Sequence, residues 1–420
     1  MKSWLVWMLS VLVGLEAPGA NRLLIPMDIR QANHLKAYGL AYQALLEEQE
    51  IDWLLNYRGG SFALDYGKKW ESECMLRGIS YEIISEPAYE GILHEVGQEE
   101  VNMSAVRLHT AARIAVYSPI KISPAQFEDT DAVLLVLKYA EIPFTVIYDE
   151  EILNGELARF DWLHLHHEDF TGQFGRSLRR VSEQDIRAQE AIANRHGFRK
   201  VSQMKLAVAK AIREYCMGGG FLFAMCSGAE TFDIALAAEG VDIVENTFDG
   251  DGIDPDAQSK LDFGKSLAFE NFVLEPEGYG GMGFSNINEA GRTGWGSLAE
   301  SYFSLFEFSA KWDVIPSMLV QNHEFQIREF FGQTTAFNPK TVKADVLVMG
   351  KGELTDRYIY GETGRGQWTF YGGHDPEGRR GGGGGGRRPT DLNLYPNSPG
   401  YRLILNNVLF PSARKKKRKT

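Results

Sequence analysis

Gly218-Gly219-Gly220-Phe221-Leu222-Phe223-Ala224-Met225-Cys226-Ser227-Gly228 is the stretch on which the reading of the chain turns. Five successive apolar residues between a glycine run and a cysteine predict a buried strand over 221–225. A helical stretch from Glu230 to Glu239 follows directly, so Cys226 falls on a sharp strand-to-helix turn. A nucleophile elbow presents its side chain on such a turn, and crowding there requires small residues two before and two after it. Ala224 and Gly228 satisfy that requirement. The helix N-terminus points its partial positive charge at the cysteine and favours a thiolate. The Ser227 amide is placed to bind an oxyanion. Cys226 is therefore a candidate nucleophile; a small thiol packed into a tight turn is the alternative.

Upstream, Arg113–Tyr117, Phe144–Tyr148 and Asp161–His166 read as strands, with helices over Asp131–Ala140 and within the polar region Ser182–Tyr215. Downstream, Asp345–Met349 and Gln367–Tyr371 resume the strand pattern. Apolar strands alternating with helices predict parallel βαβ units, hence an α/β fold with a doubly wound, mostly parallel sheet. The same alternation opens the chain: strand Leu23–Asp28, helix 32–48, strand Ile51–Tyr57, and a strand ending at Ile79–Ile84. It predicts a further N-terminal α/β lobe over 21–110, also of parallel βαβ type. Asp28 and Arg58, the latter in Arg58-Gly59-Gly60-Ser61, then fall at strand ends, where open α/β sheets bind ligands. Between about 241 and 340 the chain is Gly-rich, aromatic and irregular, as in a lid-like insertion.

Tyr371-Gly372-Gly373-His374-Asp375-Pro376-Glu377 places a histidine and two carboxylates just past a strand. His374 can serve as the base for Cys226, with Asp375 or Glu377 orienting its ring. His164 and His166 are two apart on a strand and share a face, with His167, Glu168 and Asp169 in the loop beyond. The set reads as substrate contact at His166, His167 and Glu168. Histidines so placed also suit a metal, but no distant ligand is fixed by spacing, and the expectation is no metal and no cofactor.

The chain has 420 residues, 44% hydrophobic and 24% charged, enough for two or three domains with a large core. Its 44 Lys+Arg and 56 Asp+Glu give a net charge of −12, while residues 379–420 hold eleven basic residues and one Asp. The body is thus more acidic than the whole and repels nucleic-acid phosphates. Residues 1–20, with Lys2, an apolar stretch and Ala17-Pro18-Gly19-Ala20, match a secretory signal and imply export to a periplasm or beyond. No later apolar run reaches the roughly 18 residues a transmembrane segment needs. Three cysteines, Cys74, Cys216 and Cys226, are too few for a disulfide framework. Gly381–Gly386, within 379–390, reads as a flexible loop, and the basic tail 412–420 as a solvated end able to contact an anionic surface. Gly278–Gly283 spells G-x-G-x-x-G without a following helix, and Asp249–Asp256 is an acidic turn without EF-hand spacing.

The segment from Ala112 to about Gly378, and more loosely Pro399–Asn407, resembles the class I glutamine amidotransferase-like (flavodoxin-like) fold. It is similar in particular to the ThuA-like branch, where a Gly-rich turn, a strand and Gly-His-Asp precede a closing helix. Ile25–Asp28, Asn56–Phe62, Asp161–Gly175 and Tyr371–Glu377 resemble exported bacterial proteins labelled "asparagine synthetase B". The resemblance implies an amidotransferase-like domain over 111–411. Its Gly-x-Cys-x-Gly maps onto Ala224, Cys226 and Gly228, and its His-x-Glu onto His374 with Asp375 and Glu377. His166-His167-Glu168-Asp169-Phe170 stands where the family's oxyanion loop lies. ATP-dependent asparagine synthesis does not follow, because an N-terminal nucleophilic Cys and a Ser-Gly-Gly-x-Asp-Ser loop are both absent. The functional expectation is a Cys-dependent amide or ester hydrolase with a small-molecule or carbohydrate ligand. The alternatives are a non-catalytic or metal-assisted carbohydrate-associated binding protein, or a cell-envelope assembly component.

Overall fold

The computed structural model describes residues 21–118, 131–174, 176, 182–275, 283–289, 302–328, 334, 336–377 and 389–413. The signal segment, most of Gly278–Gly283, the glycine run at 381–386 and nearly all of the basic tail lie outside the described residues.

The N-terminal sheet departs from the expected parallel units. Strands β1 (Asn21–Ile25), β2 (Ile51–Leu55), β3 (Ser61–Asp65), β4 (Glu82–Ser85) and β5 (Ser104–Leu108) lie in the order β4-β1-β3-β2-β5. Every ladder is antiparallel. With helices α1 (His34–Leu46), α2 (Lys68–Arg77) and α3 (Glu86–Gly97), its first six elements form the β-α-β-β-α-β ferredoxin-like arrangement. The cause is the turn at Asn56–Gly60, where Asn56, Arg58, Gly59 and Gly60 all have positive φ. It reverses the chain in a few residues, which permits an antiparallel partner but not a parallel one. The expected ligand loop at Arg58 is this hairpin turn, and Arg58 pairs there with Asp28 (3.1 Å) and Glu82 (2.9 Å).

The second sheet has nine strands: β6 (Ile114–Tyr117), β7 (Thr145–Ile147), β8 (Trp162–Leu165), β9 (Phe221–Met225), β10 (Tyr302–Leu305), β11 (Gln326–Arg328), β12 (Leu347–Lys351), β13 (Asp356–Thr363) and β14 (Gly366–Tyr371). Their order is β11-β10-β12-β13-β14-β9-β8-β6-β7. From β14 to β7 the neighbours are parallel; from β14 to β11 they are antiparallel. The fold is therefore mixed α/β, and the mostly parallel sheet expected from sequence covers only half of this one. The reversal starts at Gly364-Arg365, a two-residue hairpin with Gly364 at φ +62°.

Alternate residues of the parallel strands face two cores. Ile114, Val116, Trp162, Phe221, Phe223 and Met225 join α1, the helix α4 (Ala132–Tyr139) and the N-terminal sheet, so the two sheets share one core. Ala115, Leu163, Leu165, Leu222 and Ala224 face the other way. They pack on a further set of helices and on insertion residues such as Phe269 and Phe337. That set comprises α5 (Asp149–Leu153), α7 (Val201–Met217) and α8 (Cys226–Ala237), while α6 (Glu183–Arg195) packs on α7 through Ala193 against Val201 and Met204. The insertion is pinned by Asp233, whose carboxylate accepts the amides of Leu267, Ala268 and Phe269. Its own helix α9 (Val314–Leu319) packs on α10 (Pro399–Leu409), which closes the chain between the sheets.

Arg402 on α10 is fully buried. Its guanidinium donates to the carbonyls of Met27 (2.9 Å) and Gly59 and to the Tyr38 hydroxyl (3.2 Å), fixing α10 to the turns of the N-terminal sheet. Beside it the rings of His34 and His323 stack at 4.0 Å. Burial, reinforced by the nearby guanidinium, pushes His34 down to about 4; burial with the His34 and Arg402 charges pushes His323 down to about 3. Both rings stay neutral in the folded chain where they would protonate in the unfolded one. Stability from this pair is thus full above pH 6.5 and falls as pH drops toward 4. Each ring contributes a loss of about 2 kcal/mol between pH 7 and pH 5. His323→Phe, which keeps a stacked ring, is expected to reduce the acid loss by about that amount in urea unfolding at the two pH values. An unchanged pH dependence would count against a neutral buried pair.

Candidate functional site

Parallel pairing brings the carboxyl ends of β8, β9 and β14 side by side, with Leu165 opposite Ala224 and Met225 opposite Tyr371. The residues that follow converge there: His166 and His167 after β8, Cys226 after β9, and Gly372-Gly373-His374 after β14.

Helix α8 begins at Cys226 itself, with no linker after the strand. Its φ of +49° lies in the left-handed region, which costs a residue with a side chain of order 1–3 kcal/mol. Among the described residues seven non-glycines have positive φ, and Cys226 is the buried one of these. Gly228 is required by the packing, because a Cβ there would stand 2.9 Å from the His166 carbonyl oxygen and 3.2 Å from a Glu168 carboxylate oxygen. The Gly228 amide donates to that carbonyl at 2.7 Å, seating the start of α8 on the loop after β8. The Ser227 hydroxyl is buried and has no hydrogen-bond partner among the described residues.

His374 Nδ1 lies 2.9 Å from His166 Nε2. His166 Nδ1 in turn lies 3.2 Å from Asp131, the N-cap of α4, whose other oxygen is 3.4 Å from His164 Nε2. Burial opposes ionisation of Asp131, but the two imidazoles outweigh it and hold the carboxyl well below its usual range. Burial also lowers His164 despite Asp131, and its Nδ1 lies 3.1 Å from the Phe223 carbonyl oxygen. With a proton on the nitrogen nearer the Asp131 carboxylate, His166 would offer its Nε2 lone pair to His374. His374 then donates from Nδ1 and keeps Nε2 as its acceptor.

Sequence reasoning placed His374, His166, His167 and Cys226 correctly at strand ends. It missed Asp131, which its spacing identifies only as a helix cap. The carboxylates proposed to orient His374 are engaged elsewhere. Asp375 accepts from the Tyr401 hydroxyl (2.8 Å), the Thr390 hydroxyl and the Glu377 amide (3.0 Å). Burial raises Glu377 against a hydrogen bond from Ser398. Glu168 accepts the His166 amide, and burial, with the Asp131 charge adding to it, pushes it up to about 8, so it is neutral at pH 7. Asp28 and Arg58 belong to the antiparallel sheet and not to this strand edge.

Two other features stand apart. Asp242, Asp249 and Asp251 surround the ammonium of Lys200, 3.0 Å from Asp249, so a cation already neutralises that acidic turn. A cavity of about 260 Å³ by Gln173, Arg176 and Phe284 includes none of the strand-end residues.

No family model matches the chain, and no curated protein matches it. Solved structures with partial likeness include two cytoplasmic proteins from Salmonella typhimurium. One is 11% identical over 71% of this chain and 98% of that one, TM-score 0.33; the other is 10% identical over 62% and 88%, TM-score 0.31. A GH42 β-galactosidase, Gan42B, from G. stearothermophilus is 12% identical over 63% of this chain and 28% of its own length, TM-score 0.27.

The seat of α8 on the loop after β8 is open to a direct test. Gly228→Ala is expected to lower stability by about 1–3 kcal/mol in urea unfolding, because the new methyl meets backbone and not a flexible side-chain end. A neutral substitution would mean that loop and helix are not in contact.

Proposed function

We propose that the strand-end cluster is the site of a Cys-dependent hydrolase acting on an amide or ester. The observation that carries this reading is the left-handed backbone of buried Cys226 at the junction of β9 and α8. Strain of this kind persists at a non-glycine residue where the turn has a task. The strand order of the parallel half, β7-β6-β8-β9-β14, supports a flavodoxin-like, amidotransferase-like reading of this half with β6 as its first strand.

In this reading His374 Nε2 takes the Cys226 proton and the thiolate sulfur attacks the carbonyl carbon. The Ser227 amide binds the oxyanion, since the Gly228 amide is committed to His166. His374 returns the proton to the leaving amine or alcohol, and water then cleaves the thioester, regenerating the thiol. The ring is oriented by His166 and Asp131 in place of Asp375 or Glu377. Only 1% of Cys226 is exposed, so a substrate must reach it between the loop after β8 and His374.

A carbohydrate-associated binding role is the second reading, favoured by Trp312 and Phe325 of the insertion, which are 87% and 70% exposed. Other insertion aromatics, Phe269, Phe272, Phe284 and Phe337, are core. Export, and a class I amidotransferase-like or ThuA-like ancestry, belong to the proposal with it.

The thiols supply their own controls, because burial pushes Cys74 and Cys216 up to about 12. Iodoacetamide at pH 6 to 8 is expected to label Cys226 at least tenfold faster than either, and His374→Ala is expected to slow that labelling. Labelling of Cys226 only on unfolding would sink the hydrolase reading and favour the binding one.

A further inference from the structure

We propose that His166, His167 and His374 form a binding site for a divalent transition-metal ion of the zinc class. One ring nitrogen from each lies within 4.8 Å of those of the other two. The His166 and His167 rings stack at 3.9 Å, and His374 lies 4.7 Å and 4.3 Å from them. Three imidazole nitrogens this close to one another are placed to share one ion. His166 Nε2 and His374 Nδ1, 2.9 Å apart, are close enough to share either a hydrogen bond or a metal ion. Imidazole nitrogens suit zinc, copper, iron or nickel, and three protein ligands with an open position is the arrangement of reactive zinc sites.

A second, independent observation is the Asp131 carboxylate behind His166. It stands 3.2 Å from the far nitrogen of that ring, on the side away from the site, where carboxylates stand behind metal-bound histidines. His166 is buried while His167 and His374 are partly exposed, so the open position faces outward. The proposal does not depend on Cys226 being a nucleophile. With the ion bound, His374 would carry its proton on Nε2 in place of Nδ1, so no net proton is lost from the ring.

The test uses the full chain, stripped with a chelator and equilibrated with Zn²⁺, with bound metal counted by mass spectrometry and folding followed by circular dichroism. Wild type is expected to retain one ion per chain. His167→Ala and His374→Ala, each at a partly exposed position, should lose it, and the exposed His94→Ala should not. Asp131→Asn is expected to weaken binding by about 10–100-fold. Cys226→Ser should bind as wild type does, which separates this result from that of the thiol labelling. Wild type retaining no more zinc than His167→Ala, or all three histidine variants keeping the ion, would overturn the proposal.

Discussion

The parallel pairing of β9 between β8 and β14 is the constraint on which the rest of the site depends. Parallel strands all end at the same edge, and a residue one step past each end has nowhere to go but the space above that edge. His166 and His374 are 208 residues apart in sequence and meet only because their strands flank β9. The antiparallel half, from β13 to β11, sends its chain ends alternately to both edges, so it extends the sheet without adding to the cluster.

Electrostatics above that edge are set by one carboxylate. Asp131 is buried, caps α4 through the amides of Val133 and Leu134, and faces two imidazoles. Its charge is retained because those rings and amides surround it, and burial, with that charge adding to it, holds Glu168, two residues from His166, neutral. The site therefore concentrates its negative charge behind the histidines and leaves lone pairs in front. Across the shared core, Arg402 is the counterpart: a buried cation satisfied by carbonyl dipoles in place of a carboxylate. Asp131 and Arg402 each draw their partners from several elements, which ties element position to charge satisfaction.

Local signals were legible where one residue's environment is set by its neighbours in sequence. The strand Phe221–Met225 and the turn at Cys226 follow from an apolar run and from small residues at Ala224 and Gly228, and both are found. The N-terminal sheet was misread because Ser61–Asp65 is a short strand hidden behind Gly59-Gly60. Helix and strand alternation cannot tell a split βαβ unit from consecutive parallel ones. Tyr358–Thr363 was overlooked for a similar reason, since its hairpin partner begins after only Gly364-Arg365. Asp131 carries an ordinary helix-cap signal, and its pairing with His164 and His166 is a property of strand order, which no local pattern encodes.

What distinguishes Cys226 from the other two cysteines is backbone and not exposure. All three are buried, yet Cys74 lies within α2 and Cys216 within α7, where the thiol packs as a small apolar group. The six other described non-glycine residues with positive φ are polar or charged and lie at least partly open to solvent, where an αL conformation is readily hydrated. A buried cysteine gains no such relief, and a glycine at 226 would relieve the strain at once. The strain is held in place by the Gly228 amide on the His166 carbonyl, the same loop that aims the imidazoles. Loop, elbow and histidines are therefore one mechanical unit, and a change that relaxes one of them displaces the other two.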